Sequence, residues 1–201
     1  MSPSWGARLL HRALYLGPHT CPWWFGYTFD NPLRGLVHDP TAIFGDLVRP
    51  GDTVVDVGCG LGFFTLALAK LVGPGGRVIA VDVQREMLER ARRRAERQGL
   101  VDRIEFCQCA PDRLGIEGVA DFVLAFWMVH EVSQPEAFLA EVRSLLRPSG
   151  HLLIAEPRGH VPESFFARTI ERVREAGFEV SPGPAVRLSR SALCAPSARQ
   201  P

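Results

Sequence analysis

The chain has 201 residues, 46% apolar and 22% charged, with 23 basic against 22 acidic side chains and a formal net charge of +1. Such a length suits one domain that buries roughly 70% of its unfolded surface without a disulfide or metal, and the balanced charge gives no sign of a polyanionic partner. The cysteines, at 21, 59, 107, 109 and 194, are odd in number and not spaced as a disulfide framework, which fits a reducing compartment. Residues 1–20 lack a sustained apolar run, and no window approaches the ~20 apolar residues of a spanning helix. A cytoplasmic protein without a membrane span is expected.

Residues 1–50 are irregular and rich in aromatic residues, among them Trp23, Trp24, Phe25 and Tyr27. From residue 51 apolar runs alternate with helical patterns. TVVDV (53–57) reads as a buried strand ending at glycines. Phe63 to Val72 is apolar at helical spacing and stops at Gly73-Pro74-Gly75-Gly76. RVIAVDV (77–83) is a second strand, and 84–98 an amphipathic helix closed by Gly99. RIEFCQC (103–109) and DFVLAF (121–126) are the third and fourth strands. Residues 135–147 form a helix stopped at Pro148-Ser149-Gly150, and HLLIAE (151–156) is the fifth strand. A helix over 162–176 precedes the strands FEV (178–180) and AVRLS (185–189). The last pair is joined too tightly for a parallel crossover and should be antiparallel. The expected fold is an α/β three-layer sandwich around a doubly wound, mostly parallel seven-stranded sheet with an antiparallel last strand. Residues 1–44 are expected to form a lid or extension, 45–190 the cofactor-binding domain, and 191–201 a frayed tail.

The chemistry concentrates after the first strand, in Asp56-Val57-Gly58-Cys59-Gly60-Leu61-Gly62. Glycines at a strand–helix turn let a ligand approach the backbone closely, but alone they are a weak signal. Here the spacing is G-x-G-x-G, and an acid stands two residues before the first glycine. A carboxylate beside a bare helix start repels a pyrophosphate and suits a ligand with an ammonium group. Asp82 ends the second strand, 20 residues after Gly62, where an acid can accept hydrogen bonds from ribose hydroxyls. It could also cap the following helix. Val83 adjoins it, and Met87 could lie against a base.

These residues resemble the class I S-adenosylmethionine-dependent methyltransferases over about residues 45–180. DVGCGLG resembles the family's first motif and VIAVD its second. DFVLAFWMVHEV resembles the fourth-strand segment, and LLRPSGHLLIAE the helix–turn–strand element. The nearest likeness is to the small-molecule enzymes of ubiquinone/menaquinone biosynthesis and of arsenite methylation. The resemblance implies S-adenosyl-L-methionine as cofactor and S-adenosyl-L-homocysteine as product. It implies that Asp56, Gly58, Cys59, Gly60 and Gly62 line the methionine end, that Asp82 holds the ribose, that Cys109 and Ala110 border the adenine, and that Phe126 sits near the methyl group. Ala110 stands where the family often has an Asp for the adenine amino group, and Asp112 is near but displaced.

Methyl transfer chiefly requires a nucleophile held at near-attack distance in a dry site, with a base only if the nucleophile arrives protonated. Trp23, Trp24 and Tyr27 are candidates for an aromatic lid or acceptor pocket, with Tyr27 offering a hydroxyl. Trp127 and His130 follow the fourth strand, and His130 is a candidate base. Glu156, with Arg158 and His160 after it, follows the fifth strand. The fourth-strand segment lacks an Asn/Asp-Pro-Pro-Tyr motif, which argues against nucleic-acid and protein-amide acceptors. A small, apolar or thiol/phenol-type acceptor is expected, with no nucleic-acid partner. Cys107 and Cys109 invite a metalloid reading, but no His/Cys partners stand at zinc spacing, and no metal site is expected. The arginines of the 84–98 helix are interleaved with Glu86, Glu89 and Glu96 and read as an ion-paired surface. The competing readings are a cofactor-binding partner subunit without turnover, a metalloid methyltransferase, and an RNA methyltransferase.

Overall fold

The apolar runs pair into one sheet because each can bury both of its faces. The computed structural model describes residues 34–198, apart from the side chain of Leu36. Its strands are β1 (Thr53–Val57), β2 (Arg77–Asp82), β3 (Ile104–Gln108), β4 (Ala120–Phe126), β5 (Leu146–Pro157), β6 (Phe178–Pro182) and β7 (Ser189–Pro196). Helices are α1 (Arg34–Val37), α2 (Pro40–Phe44), α3 (Phe63–Leu71), α4 (Arg85–Arg97), α5 (Pro135–Leu145) and α6 (Glu163–Glu175). The sheet runs β3-β2-β1-β4-β5-β7-β6. β1 pairs in parallel with both β2 and β4, and β7 runs antiparallel to β5 and β6. This is the doubly wound sandwich expected, with the antiparallel strand last in sequence.

Strand alternation divides the core in two. Val54, Val78, Phe122 and Leu153 face Phe44, Phe64 and Leu68 of α2 and α3. Their sequence neighbours Val55, Ile79, Val123 and Leu152 face Leu139 and Val142 of α5 and Ile170 and Val173 of α6. Because β1 is flanked by β2 on one side and β4 on the other, the connections from its end and from β4's end lead to opposite faces. The crevice they leave lies at the carboxyl ends of the strands, where ligands bind in sheets of this kind.

Two boundaries differ from expectation. The helix expected to reach residue 147 ends at Leu145, and β5 starts at Leu146 rather than His151. Pro148 favours extended backbone before it, and Leu146 is buried and pairs with Ala120 across an irregularity in the ladder. The second difference is larger. The strand expected at 185–189 begins only at Ser189, because Leu188 has φ 62 and cannot continue a ladder. The segment expected to fray from residue 191 is instead β7, inserted between β5 and β6 through Pro196. Ala192 and Cys194 are buried there, and Cys194 is wholly inaccessible. Among the described residues, no helix is long and apolar enough to cross a membrane.

A chain ended after Leu188 should therefore lose cooperative thermal unfolding, because β5 and β6 would each lose a paired neighbour. Circular dichroism melting checks this. An unchanged melting temperature would mean that β7 contributes nothing.

Candidate functional site

The turn after β1 is a tight glycine coil built against β2. The amides of Gly58 and Cys59 both donate to Val81 O, at 2.9 and 3.0 Å, and Gly62 N donates to Cys59 O at 3.0 Å. Gly58, Gly60 and Gly62 all have positive φ, at 68, 54 and 80°. Two of the three are also tightly packed. A Cβ at Gly58 would lie 3.0 Å from Met128 Cβ, and one at Gly62 2.9 Å from Ala91 Cβ. At Gly60 a Cβ would meet nothing within 4 Å. The loop is thus closed by packing on two sides and open at Gly60.

Two buried carboxylates stand at this loop. Asp82 accepts hydrogen bonds from Gly60 N through Oδ2 and from Gln84 N through Oδ1, both at 2.9 Å. One side chain therefore braces the glycine turn and holds the amide of Gln84, the residue that precedes α4, while the helix itself has no side-chain cap among the described residues. Asp56 accepts from Thr65 Oγ1 of α3 at 2.5 Å. Burial pushes the Asp56 carboxyl up to about 7; the Thr65 bond and the Arg34 charge pull it down, and Asp82 adds to the rise. Burial also raises the Asp82 pKa, against the amide bonds from Gln84 and Gly60. The loop gains further support from Arg94 of α4, whose Nη1 donates to Leu61 O at 2.7 Å. The arginine-dense helix is therefore not only an ion-paired surface.

Beyond β2 and β3, Cys109 N donates to Asp82 O at 3.1 Å, which fixes the strand ends together. Gln108 Nε2 donates to Val83 O at 3.1 Å. Cys109 is half-buried, Ala110 is exposed, and Met87 is buried near the start of α4. Burial raises the Cys107 and Cys109 thiols to about 11, with the Glu105 and Asp82 charges respectively adding to it. Neither is a ready thiolate at neutral pH. Among the described residues, no three His, Cys, Asp or Glu side chains are grouped to hold a metal ion.

The end of β4 forms an aromatic wall. Phe126 packs on Phe64 at 4.4 Å between ring centroids and on Trp127 at 5.4 Å. Trp127 takes φ 59, a strained value for a bulky residue. It is held by its amide, which donates to Ala155 O at 2.8 Å, and by Nε1, which donates to Ser189 Oγ at 2.8 Å. Two residues with no sequence signal complete the wall. The Arg34 guanidinium lies 4.8 Å from the Phe63 ring centroid and 5.0 Å from that of Phe64. The His38 ring lies 5.2 Å from Phe126 and 5.1 Å from Trp127.

Beside this wall is a buried histidine–carboxylate pair. Glu156 is 1% exposed. Its Oε1 accepts from His130 N at 3.0 Å, and its Oε2 is 2.7 Å from His130 Nδ1. His130 Nε2 lies 3.9 Å from Glu131 Oε1, and the His160 ring stacks edge-on at 4.9 Å. Burial alone would lower the His130 pKa, but the hydrogen bond and charge of Glu156, with Glu131, outweigh it and raise the net value.

Asp56, Gly58, Cys59, Gly60, Gly62 and Asp82 thus form one cradle at the switch point, and Phe126, Trp127, His130 and Glu156 adjoin it at the same end of the sheet. Val83, Met87, Cys109 and Ala110 lie past the ends of β2 and β3. Trp23, Trp24, Tyr27 and Cys21 lie outside the described residues. Sequence reading missed Arg34, His38, Thr65, Arg94 and Ser189. Only Thr65 had a signal, since nine residues past Asp56 it falls on the first turn of α3.

The His130–Glu156 pair gives a pH prediction. Because the native His130 pKa is raised, the stability it contributes is fully present below its unfolded value, near 6.5, and is lost as pH rises through the native value. Glu156→Gln should therefore destabilise the protein more at pH 6 than at pH 9, by about 1–3 kcal/mol at the lower pH. NMR titration of His130 should give a value above 6.5 in the wild type and a lower one in the variant. A value below 6.5 in the wild type would contradict this.

Comparison with known proteins agrees with this architecture. The family profile described as "Methyltransferase domain" matches residues 49–181, more than half of the chain. The chain is 34% identical over 110 residues to the ubiquinone/menaquinone biosynthesis C-methyltransferase UbiE of Hahella chejuensis, covering 54% of this chain and 44% of that one. It is 36% identical over 109 residues to the demethylmenaquinone methyltransferase of Symbiobacterium thermophilum, covering 54% and 43%. The matched part spans less than half the length of these curated relatives. Among solved structures, a SAM-dependent methyltransferase from Aquifex aeolicus superposes with a TM-score of 0.78 at 26% identity, covering 88% of this chain and 98% of that one. The crevice chemistry, the sheet order and these matches lead to one conclusion: the chain belongs to the class I S-adenosylmethionine-dependent methyltransferases.

Proposed function

We propose that this chain transfers the methyl group of S-adenosylmethionine to a small acceptor of thiol or phenol type. The observation that carries the reading is the pair of buried carboxylates at an open glycine turn. Asp56 is kept from water and bonded by one hydroxyl, so it gains a partner when an ammonium arrives. Asp82 has one bond on each oxygen and retains lone pairs for ribose hydroxyls. Gly60 leaves the space a ligand backbone contact needs. This pair of acceptors fits a cation joined to a ribose and suits a pyrophosphate poorly.

When bound, the cofactor supplies an electrophilic methyl carbon on a sulfonium. The chain's part is to hold, orient and keep dry. The aromatic wall of Phe64, Phe126 and Trp127 excludes water and offers ring faces to positive charge. His130, held by Glu156 at Nδ1, presents Nε2 at the acceptor end as a hydrogen-bond donor when protonated. The small size of the acceptor is supported by relatives named for quinone biosynthesis, one of them a C-methyltransferase, and its apolar character by the aromatic lining.

Asp82→Ala should weaken cofactor binding by about 1–3 kcal/mol, some five- to 150-fold in Kd, through lost hydrogen bonds to a charged group. Calorimetric titration with the melting temperature measured in parallel checks this. Unchanged affinity would remove Asp82 from the site. Turnover of a thiol or phenol panel, read as S-adenosylhomocysteine formed, tests the acceptor class, and selective methylation of RNA instead would overturn it.

A further inference from the structure

His38 is a buried polar group beside the aromatic wall with one ring nitrogen unaccounted for among the described residues. The side chain is 2% exposed. Its Nε2 lies 3.0 Å from Arg187 O in the loop before β7. A carbonyl oxygen only accepts, so Nε2 carries the hydrogen. Its Nδ1 is buried with no hydrogen-bond partner among the described residues. The ring touches Phe64, Phe126 and Trp127, the wall that ends β4 beside the glycine turn. A buried polar atom without a partner costs about 1–3 kcal/mol, and a catalytic role is one reason a fold retains such an atom.

The charges around the ring fix which state that is. Burial lowers the His38 pKa, the Arg187 carbonyl opposes this, and the Arg34 guanidinium lowers it further. The imidazole is therefore neutral at pH 7, with hydrogen on Nε2 and a bare lone pair on Nδ1. That lone pair can accept a proton or a hydrogen bond. His130 has the opposite character. Its Nδ1 is taken by Glu156 and its pKa is raised. Of the two histidines, His38 is the one whose bare nitrogen belongs to a ring packed on Phe126 and Trp127.

We propose that His38 is the general base of the transfer, its Nδ1 accepting the proton of a phenol-type hydroxyl on the acceptor. The aromatic neighbours favour a ring-bearing acceptor over an aliphatic thiol. The bookkeeping is closed. The O–H bond breaks as the hydroxyl oxygen's electron pair forms the bond to the methyl carbon. The carbon–sulfur bond breaks with its pair remaining on sulfur, and the proton rests on Nδ1 until it passes to water after product release. Nothing is oxidised or reduced. This proposal rests on the methyltransferase reading above and narrows its acceptor to a phenol.

The test uses the full chain in two arms. In the first, ¹⁵N-histidine NMR reads the His38 tautomer at pH 7 in the unliganded protein and again with S-adenosylhomocysteine and 4-methylphenol. The expected result is an Nε2–H tautomer whose Nδ1 resonance moves on adding the phenol. An Nδ1–H tautomer, or a resonance unmoved by phenol, overturns the proposal. In the second arm, His38→Gln keeps a side-chain N–H for Arg187 O and removes the basic nitrogen. Turnover of the phenol should fall 10²–10⁴-fold, with cofactor Kd and melting temperature close to wild type and partial rescue by added imidazole. A kcat within threefold of wild type overturns the proposal. Failure of the wild type to bind S-adenosylhomocysteine is a different result. It sinks the methyltransferase reading, while the tautomer in the unliganded protein still decides the state of His38.

Discussion

The site depends on the carboxylate of Asp82. It reaches from the end of β2 to the amide of Gly60 in the turn after β1, and with its other oxygen to the amide of Gln84 at the start of α4. A side chain that bridges two turns fixes their separation, and the crevice between them is where this fold binds ligands. Burial opposes the charge, and the amides of Gln84, Gly60 and Val83 favour it. The ring of constraint continues through Arg94, which holds Leu61 O, and through Thr65, which holds Asp56. Each is a buried or half-buried polar bond in a region of low dielectric, where a missing partner costs more than a present one contributes.

The two ends of the crevice differ in physical character. The glycine end is backbone and carboxylate, open at Gly60. The far end is aromatic and anchored by the last strand, since Trp127 bonds Ser189 and His38 bonds the carbonyl of Arg187. The position of β7 in the sheet is therefore also a property of the site. On the proposed reading, a cation would meet acids at one end and an apolar acceptor would meet rings at the other. In-line transfer requires both to be held at once.

Much of this was legible in the sequence. The strands β1 to β4 follow from short apolar runs bounded by glycine and polar turns, because a parallel sheet buries both strand faces. The glycine turn and the acids beside it are also legible, since backbone clearance and charge sign are carried by residue type. The edges were harder to read. β7 hides in Ser-Arg-Ser-Ala-Leu-Cys-Ala-Pro, where the buried positions hold small Ala192 and Cys194 rather than large apolar residues, so its period-2 signal is weak. Arg34 and His38 were not legible because their roles come from tertiary neighbours on β4, α3 and the 183–188 loop. A lone histidine before Asp39-Pro40 carries no local pattern that distinguishes a base from a surface residue.

We propose that Asp56, buried at the glycine turn, receives the cationic end of S-adenosylmethionine. Asp56 is pushed up to about 7 by burial, so at pH 6.5 much of it is protonated and must ionise when an ammonium binds. Calorimetric titration at pH 6.5 in two buffers of different ionisation enthalpy tests this directly. Binding should come with net proton release, abolished by Asp56→Asn. Absence of binding, or a binding enthalpy independent of buffer, would contradict it.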